Sequence, residues 1–337
     1  MRLFLAFSLV GCANGQVRDH LFVSTDDAVL PVAVFGNIDS GTLILFESGG
    51  PSGPSIAERA VGYTPFQDTL EPHMAVAWYD RRGTGNATGD YSEADQSMGQ
   101  LLADLDAVVA VLDARYAPDR FVLMSHSFGT YTAGVYQLDH PGVFDGWVAA
   151  APAFIAGPDE LYIRYRRDFA CRVAGVQLAA GASDPLWNEI LAFCDANPTV
   201  APVWDTPERE QLWRYLNTIE DELEPWPPFE TAGLLGTVFG SHYNLIDSQV
   251  TKNRISSHID ADPGREDLLP ELGVVDIPVV VATGEFDGTT PTEMGAAMTE
   301  AIGPSAELFD FPGAGHYMMV DDPEGFADAV RSLVDRL

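Results

Sequence analysis

Apolar and polar positions change rhythm several times along the chain, and each rhythm predicts a different element. Two short apolar runs, His20 to Ser24 and Ala28 to Phe35, lie close together and predict an opening antiparallel hairpin. The next runs, in TLILFESGG (42–50) and AVAWYDRRGTG (75–85), are continuously apolar and end in glycine-rich turns. Strands buried on both faces of a sheet have this pattern. Between them, Thr64-Pro65 predicts a helix start, a capping side chain followed by proline at the first helical position. From Met98 to Tyr116 the spacing becomes helical. Leu101, Leu102, Leu105, Val108, Val109 and Leu112 form one stripe, with Asp104, Asp106 and Asp113 expected largely on the other face.

Strands and helices then alternate: a strand at 121–125, a helix from about Phe128 to Leu138, and a strand at 146–152. The alternation resumes much later with a strand in IPVVVATGEFDG (277–288), a helix after Pro291, a strand in AELFDFPG (306–313) and a closing helix from Pro323. Such alternation predicts an α/β fold, with a mostly parallel sheet covered by helices on both faces. The stretch from about 154 to 273 breaks the rhythm. It is rich in Trp, Tyr, Pro and acidic residues and holds amphipathic helix candidates such as Pro207 to Leu223, so it predicts an inserted, mainly helical cap. The expected organisation is a leader and short linker over 1–19, a first core part over 20–153, the cap over 154–273 and a second core part over 274–337.

Charge narrows the partners. Lys+Arg total 18 against Asp+Glu 50, a formal net charge of -32 that repels phosphate backbones and anionic lipid heads, so nucleic acid is not an expected partner. The acids are scattered, as on a solvated surface suited to a salty medium. The first residues, MRLFLAFSLVGCANG, have one basic residue, an apolar run from Leu3 to Val10 and small residues around Cys12, which outlines a secretory signal. Leu9-Val10-Gly11-Cys12 resembles the lipobox of bacterial lipoproteins. That resemblance implies lipidation of Cys12 and an exported, periplasmic or outer-membrane-tethered protein, with an ordinary cleaved signal and a secreted soluble chain as the alternative. Cys171 and Cys194, 23 positions apart in the expected cap, are candidates for a disulfide in an exported protein, or else two buried free thiols. Neither has a histidine or second cysteine at metal-ligand spacing, and no dinucleotide fingerprint occurs, so neither a metal nor a cofactor is expected.

The chemistry is concentrated in FVLMSHSFGT (121–130), an apolar strand that delivers small and polar residues to its end. A strand, a tight turn and a helix with Ser127 at the corner make the context of a nucleophile elbow. Crowding there demands small side chains two before and two after the nucleophile. Ser125 and Gly129 hold those places, Ser125 where glycine is usual and so with some strain. Downstream, GEFDGTTP puts Asp287 just past a strand and FPGAGHYMMVDDP puts His316 in the loop after the last one, the chain order Ser, Asp, His expected of such a site. His316 would take the Ser127 proton and return it to the leaving group, while Asp287 would hold the imidazole tautomer. The glycine-rich turn ESGGPSGPS offers the amide of Gly50 as one oxyanion donor, because Pro51 has none, and the amide of Phe128 is the second candidate. His126 is expected to be a structural hydrogen-bonder, and Asp80 and Arg82 to fasten their turn through hydrogen bonds and an ion pair.

On these residues the chain resembles the α/β-hydrolase superfamily, and within it the proline iminopeptidase and tripeptidyl aminopeptidase group of serine peptidases. That group carries H-G-G-P-G or N-P-G-G-P-G where this chain has Glu47-Ser48-Gly49-Gly50-Pro51-Ser52-Gly53. It carries D-x-R-G-x-G-x-S where this chain has Asp80-Arg81-Arg82-Gly83-Thr84-Gly85-Asn86-Ala87. The likeness covers about 40–152 and 275–337. It implies an α/β-hydrolase fold and a serine hydrolase that leans to aminopeptidase cleavage of short peptides, with cap carboxylates holding the substrate's free amine. Glu208, Glu210, Glu220 and Glu222, with Asp221 and Glu224, are the candidates, and Trp213 with Trp187, Trp204, Trp226 and Phe229 would line an apolar pocket or pack the cap onto the core. A carboxylic-ester hydrolase acting on small apolar esters is the alternative, and a catalytically silent binding scaffold a third reading. Expected partners are a small-molecule or short-peptide substrate.

Overall fold

The computed structural model describes residues 15–50, 53–61, 63, 65–89, 96–154, 160–200, 206–223 and 267–337. Cys12, Trp204, Glu224, Trp226 and Phe229 lie outside them, as do the side chains of Glu220 and Asp221.

An eight-stranded sheet organises the chain. Its strands are β1 (Gln16–Ser24), β2 (Val29–Asn37), β3 (Thr42–Glu47), β4 (Ala75–Tyr79), β5 (Arg120–His126), β6 (Gly146–Ala150), β7 (Val279–Gly284) and β8 (Ala306–Phe311), in the order β1-β2-β4-β3-β5-β6-β7-β8. β1 and β2 form the antiparallel hairpin, from Gln16 opposite Asn37 to Ser24 opposite Val29, and β2 joins β4 antiparallel. Every other pair is parallel. β1 begins four residues before the apolar run that predicts it, because Asp19 is polar yet buried: Arg115 and the Tyr116 hydroxyl donate to its carboxylate.

Parallel strands with helical crossovers bury both faces, and the period-two alternation of β3 shows how the residues divide. Leu43 and Leu45 join the core under α3 (Met98–Tyr116), α4 (Phe128–Asp139) and the helix Thr292–Ile302, while Ile44 and Phe46 join the core under α2 (Phe66–Thr69) and the helix Pro323–Val334. Each fully buried Leu, Ile or Phe contributes about 1.5–3 kcal/mol. α3 has the predicted bounds, and Ser97 caps it by accepting from the amide of Gln100.

Three local expectations are corrected. The helical content between β3 and β4 lies chiefly in α1 (Ser55–Val61); α2 is a single turn with Pro65 in the cap position rather than the first helical one, and Thr64 lies outside the described residues. Asp104 is buried rather than on the polar face, because Arg82 donates to both its oxygens at 2.9 Å. The carboxylate paired with Arg82 is therefore that of Asp104, while Asp80 fastens its turn by accepting the amides of Ile56 at 3.1 Å and Asn86 at 3.0 Å. Burial pushes the Asp80 carboxyl up to about 6 against the downward pull of those two amides.

The insertion after β6 is mainly helical, with α5 (Glu160–Ala179), α6 (Pro185–Ala196) and α7 (Pro207–Leu223) packed around their own apolar cluster of Phe169, Val173, Trp187, Ile190, Leu212 and Ile219. Trp187 is core to the cap, whereas Trp213 is 46% exposed. Cys171 on α5 and Cys194 on α6 are joined in a disulfide, with Cα atoms 6.1 Å apart. Closing a loop of this length restricts the unfolded chain by about 3 kcal/mol. The paired Cys171→Ser, Cys194→Ser variant is therefore expected to unfold several degrees lower in a thermal melt; an unchanged midpoint would mean that the bond adds nothing to the cap.

Candidate active site

Ser127 is the residue between β5 and α4. It has φ 53° and ψ -124°, a conformation that L-residues rarely adopt and that is strained for serine. The surroundings hold it there. Its amide donates to the carbonyl of Ala150 at 2.9 Å, and its carbonyl accepts from the amide of Thr130, also at 2.9 Å, as α4 begins. The first amides of a helix have no intrahelical acceptor and carry its positive dipole end, so anionic oxygen is favoured beside Ser127.

The two flanking small residues are needed for different reasons. A Cβ on Gly129 would lie 2.3 Å from the carbonyl oxygen of Glu47 and 2.5 Å from that of Ser48, so only glycine lets α4 pass the end of β3. Ser125 is fully buried, and its hydroxyl accepts the Trp147 indole N–H at 2.8 Å and donates to the carbonyl of Val148 at 3.2 Å. The expected strain of a serine here is thus replaced by a use, since the hydroxyl satisfies a buried indole that glycine would leave without this acceptor.

Asp287 lies in the loop after β7 and is fully buried. Oδ1 accepts the amides of Thr289 at 2.9 Å and Thr290 at 2.7 Å, and Oδ2 accepts the Thr290 hydroxyl at 2.7 Å and His316 Nδ1 at 2.9 Å. Burial alone would raise its pKa. The charge of His316 and its hydrogen bond, with the amide and hydroxyl of Thr290, outweigh burial and hold the carboxyl below its ordinary value. Nothing in the sequence pattern singles out Thr290; its place three residues past the aspartate is the one available signal. Glu285, two residues before Asp287, accepts the amide of Gly313 at 2.9 Å and so ties down the loop after β8.

His316 follows that loop, and His126 brings its backbone to the elbow. The Nε2 of His126 lies 2.9 Å from the carbonyl oxygen of His316. A carbonyl only accepts, so Nε2 carries the proton and Nδ1 is left to accept from the Tyr63 hydroxyl at 3.1 Å. Burial first, and then the neighbouring His316, push the His126 pKa down to about 3, partly opposed by the bond to the His316 carbonyl and by Asp287. His126 is therefore neutral, with both nitrogens engaged. It fastens the residue before Ser127 to His316, whose side chain is 14% exposed.

Across from the elbow, Gly49 is so close to Ser127 that an added Cβ would sit 3.2 Å from the serine Cβ. Gly50 has φ 58°, which favours glycine, with open space where a side chain would go. Beneath this turn lies a pair that sequence reasoning missed, Glu47 at the end of β3 and Arg81 just after β4, joined at 2.6 Å and both buried. A lone acid closing an otherwise apolar strand was the signal.

The cap meets the site through α5. Tyr162 Oη donates at 3.0 Å and Arg166 Nε at 3.1 Å to the carbonyl of Thr289, in the loop that carries Asp287. Arg166 also stacks near Trp213, its guanidinium carbon 4.6 Å from the ring centroid. Arg209 is buried, and burial first and the nearby Arg166 second lower its pKa. Glu208, Glu210 and Glu222 are exposed on α7. Among the described residues, no group of three His, Cys, Asp or Glu could hold a metal ion, and no helix is long and apolar enough to cross a membrane.

Comparison with known proteins agrees with this geometry. Residues 56–178 match the model of the family described as serine aminopeptidase, S33. A probable 1-acylglycerol-3-phosphate O-acyltransferase of Oryza sativa subsp. japonica is 23% identical over 230 residues, which are 62% of this chain; the chain spans about half, 49%, of that curated relative. Among solved structures, a proline iminopeptidase-related protein from Thermus thermophilus superposes with a TM-score of 0.61 at 22% identity over 95% of this chain and 98% of its own. An esterase from a Rhodococcus species does so with a TM-score of 0.58 at 19% identity, again over 95% and 98%. Sheet order, a strained serine between β5 and α4, and these likenesses converge on one assignment: the chain has the α/β-hydrolase fold and is an enzyme of the serine-hydrolase type.

Proposed function

We propose that the protein is a carboxylic-ester hydrolase acting on small apolar esters through an acyl-enzyme on Ser127. The observation that carries the choice of ester is the charge of the cap: among its described residues, the buried charged side chains are Arg166 and Arg209. A substrate ammonium needs a desolvated carboxylate partner, and these side chains do not offer one. An ester needs no such partner.

In this reading His316 Nε2 takes the proton from Ser127 as the hydroxyl attacks the ester carbonyl. The amides of Gly50 and Phe128 receive the developing oxyanion, and the imidazolium returns its proton to the leaving alkoxide. Water then repeats the sequence on the acyl-enzyme. Asp287, held ionised, keeps the imidazole proton on Nδ1 and stabilises the charged ring.

The match to the serine aminopeptidase family model supports a second reading, cleavage of short peptides with a free amine. A matched panel separates the two: short-chain aryl esters against prolyl and alanyl aryl-amides with free or blocked amines. The expected result is ester turnover with little or no amide cleavage and no gain from a free amine. Amide cleavage that requires the free amine would overturn the ester reading in favour of the peptidase.

A further inference from the structure

The turn beside Ser127 contains two successive glycines, and glycine is the residue with the most backbone freedom to lose. An oxyanion donor works only if it is fixed before charge develops. Something must therefore hold the peptide that joins Gly49 to Gly50 and carries the Gly50 amide.

The described structure supplies a clamp. Arg81, buried under the turn, donates from Nη2 to the carbonyl of Ser48 at 2.5 Å and from Nη1 to the carbonyl of Gly50 at 2.6 Å. These two carbonyls belong to the peptides on either side of the 49–50 peptide. Because a peptide unit is planar, fixing both neighbours restricts rotation of the unit between them. The Ser48 hydroxyl adds a contact of 3.2 Å to the carbonyl of Gly49 and donates to Glu58 at 2.7 Å.

The guanidinium is in turn held by Glu47, whose Oε1 accepts from Nε at 3.0 Å and from Nη2 at 2.6 Å, while Oε2 accepts the Tyr79 hydroxyl at 2.5 Å. The Arg81 guanidinium carbon also lies 5.7 Å from the ring centroid of Phe128, the residue of the second donor. An apolar pair of similar volume often stabilises a fold as well as a buried ion pair does, so stability alone does not account for this one. The planar fork does account for it, since a guanidinium alone can hold a carboxylate on one side and two carbonyls on the other.

We propose that Arg81, anchored by Glu47, is the positioning residue of the oxyanion turn: it orients the Gly50 amide toward Ser127 without touching substrate. The proposal rests on the reading of Ser127 as nucleophile and Gly50 as donor.

The test uses the full chain. Wild type and Ser127→Ala are first treated with a fluorophosphonate probe, which labels an activated serine whatever the natural substrate. Kinetics with 4-nitrophenyl acetate, the inhibition constant of a trifluoromethyl ketone that adds to the serine, and thermal melts are then compared with those of the double variant Glu47→Gln, Arg81→Met. That variant removes both charges and leaves the Tyr79 hydroxyl an acceptor. It is expected to melt several degrees below wild type yet fold fully, because the carbonyls of Ser48 and Gly50 lose their donor. KM should stay within about twofold, while kcat and affinity for the ketone fall together by about 10- to 100-fold, less than the loss of a whole oxyanion donor. Arg81→Lys, which keeps a cation beside Glu47 but has no fork, is the second variant, and an intermediate loss of kcat is expected of it. Labelled wild type with kcat and ketone affinity within about twofold of wild type in both variants would overturn the role of Arg81 alone. So would a fall in kcat with unchanged ketone affinity. No Ser127-dependent labelling of wild type would overturn the nucleophile reading, and this proposal with it.

Discussion

Ser127→Ala is expected to lower kcat for aryl-ester hydrolysis by about 10⁵- to 10⁶-fold, the scale of loss seen when a triad serine is removed elsewhere. The fold should survive, because Ser127 is held by backbone bonds to Ala150 and Thr130 that alanine keeps. Stability also gives a control. The strain at φ 53° and ψ -124° is a property of any L-residue at this corner, so alanine inherits it and glycine does not. Ser127→Gly should therefore match the alanine variant in lost activity but exceed it in stability by about 1 kcal/mol, read from urea unfolding. If the alanine variant kept activity within tenfold of wild type, Ser127 would not be the nucleophile. If glycine were the less stable variant, the strain would be absent.

Asp287→Asn should be nearly as damaging, about 10⁴-fold in kcat, with binding little changed. Four donors converge on this carboxylate, the amides of Thr289 and Thr290, the Thr290 hydroxyl and His316 Nδ1. An asparagine whose oxygen serves the two amides must turn its NH₂ toward His316. Nδ1 then has to accept, the ring proton moves to Nε2, and the nitrogen facing the serine can no longer take a proton.

The effect on stability has a definite sign. The folded-state pKa of Asp287 is depressed, so its contribution is fully present above the ordinary carboxylate value near 3.9 and is lost as pH falls through the lower folded value. Unfolding measured from pH 7 down to pH 2 should show a loss below about pH 4 in wild type that is smaller in the variant. Equal acid sensitivity in both would mean that the carboxylate is not held ionised by its surroundings.

Much of the architecture is legible in the sequence because it depends on local period. Continuous apolar runs mark β3, β4, β5 and β7, and the stripe from Leu101 to Leu112 marks α3 with its bounds. The elbow is legible too, since Ser127 follows a strand and opens a helix, and Asp287 and His316 each follow a strand in order. Readings fail where a polar side chain finds its partner far along the chain. Asp104 has the spacing of a solvent-facing acid and is buried on Arg82, 22 positions away; Ser125 stands where strain is expected and is a hydrogen-bond partner of Trp147. The cap glutamates offered as amine ligands are exposed, because their helix turns Arg209 and Leu212 inward instead.

By itself, then, the sequence determined the α/β alternation, the place of the inserted helices and the positions of Ser127, Asp287 and His316 just past their strands, because hydrophobic period and turn chemistry are properties of neighbours. Tertiary structure alone decided that Glu47 and Arg81 lie under the Gly49-Gly50 turn, that His126 ties the elbow to His316, and that arginines are the buried charges of the described cap. The physical reason is distance along the chain. Whether a buried charge or imidazole is paired, neutral or a clamp depends on groups 34 to 190 positions away, and only the folded sheet brings these together.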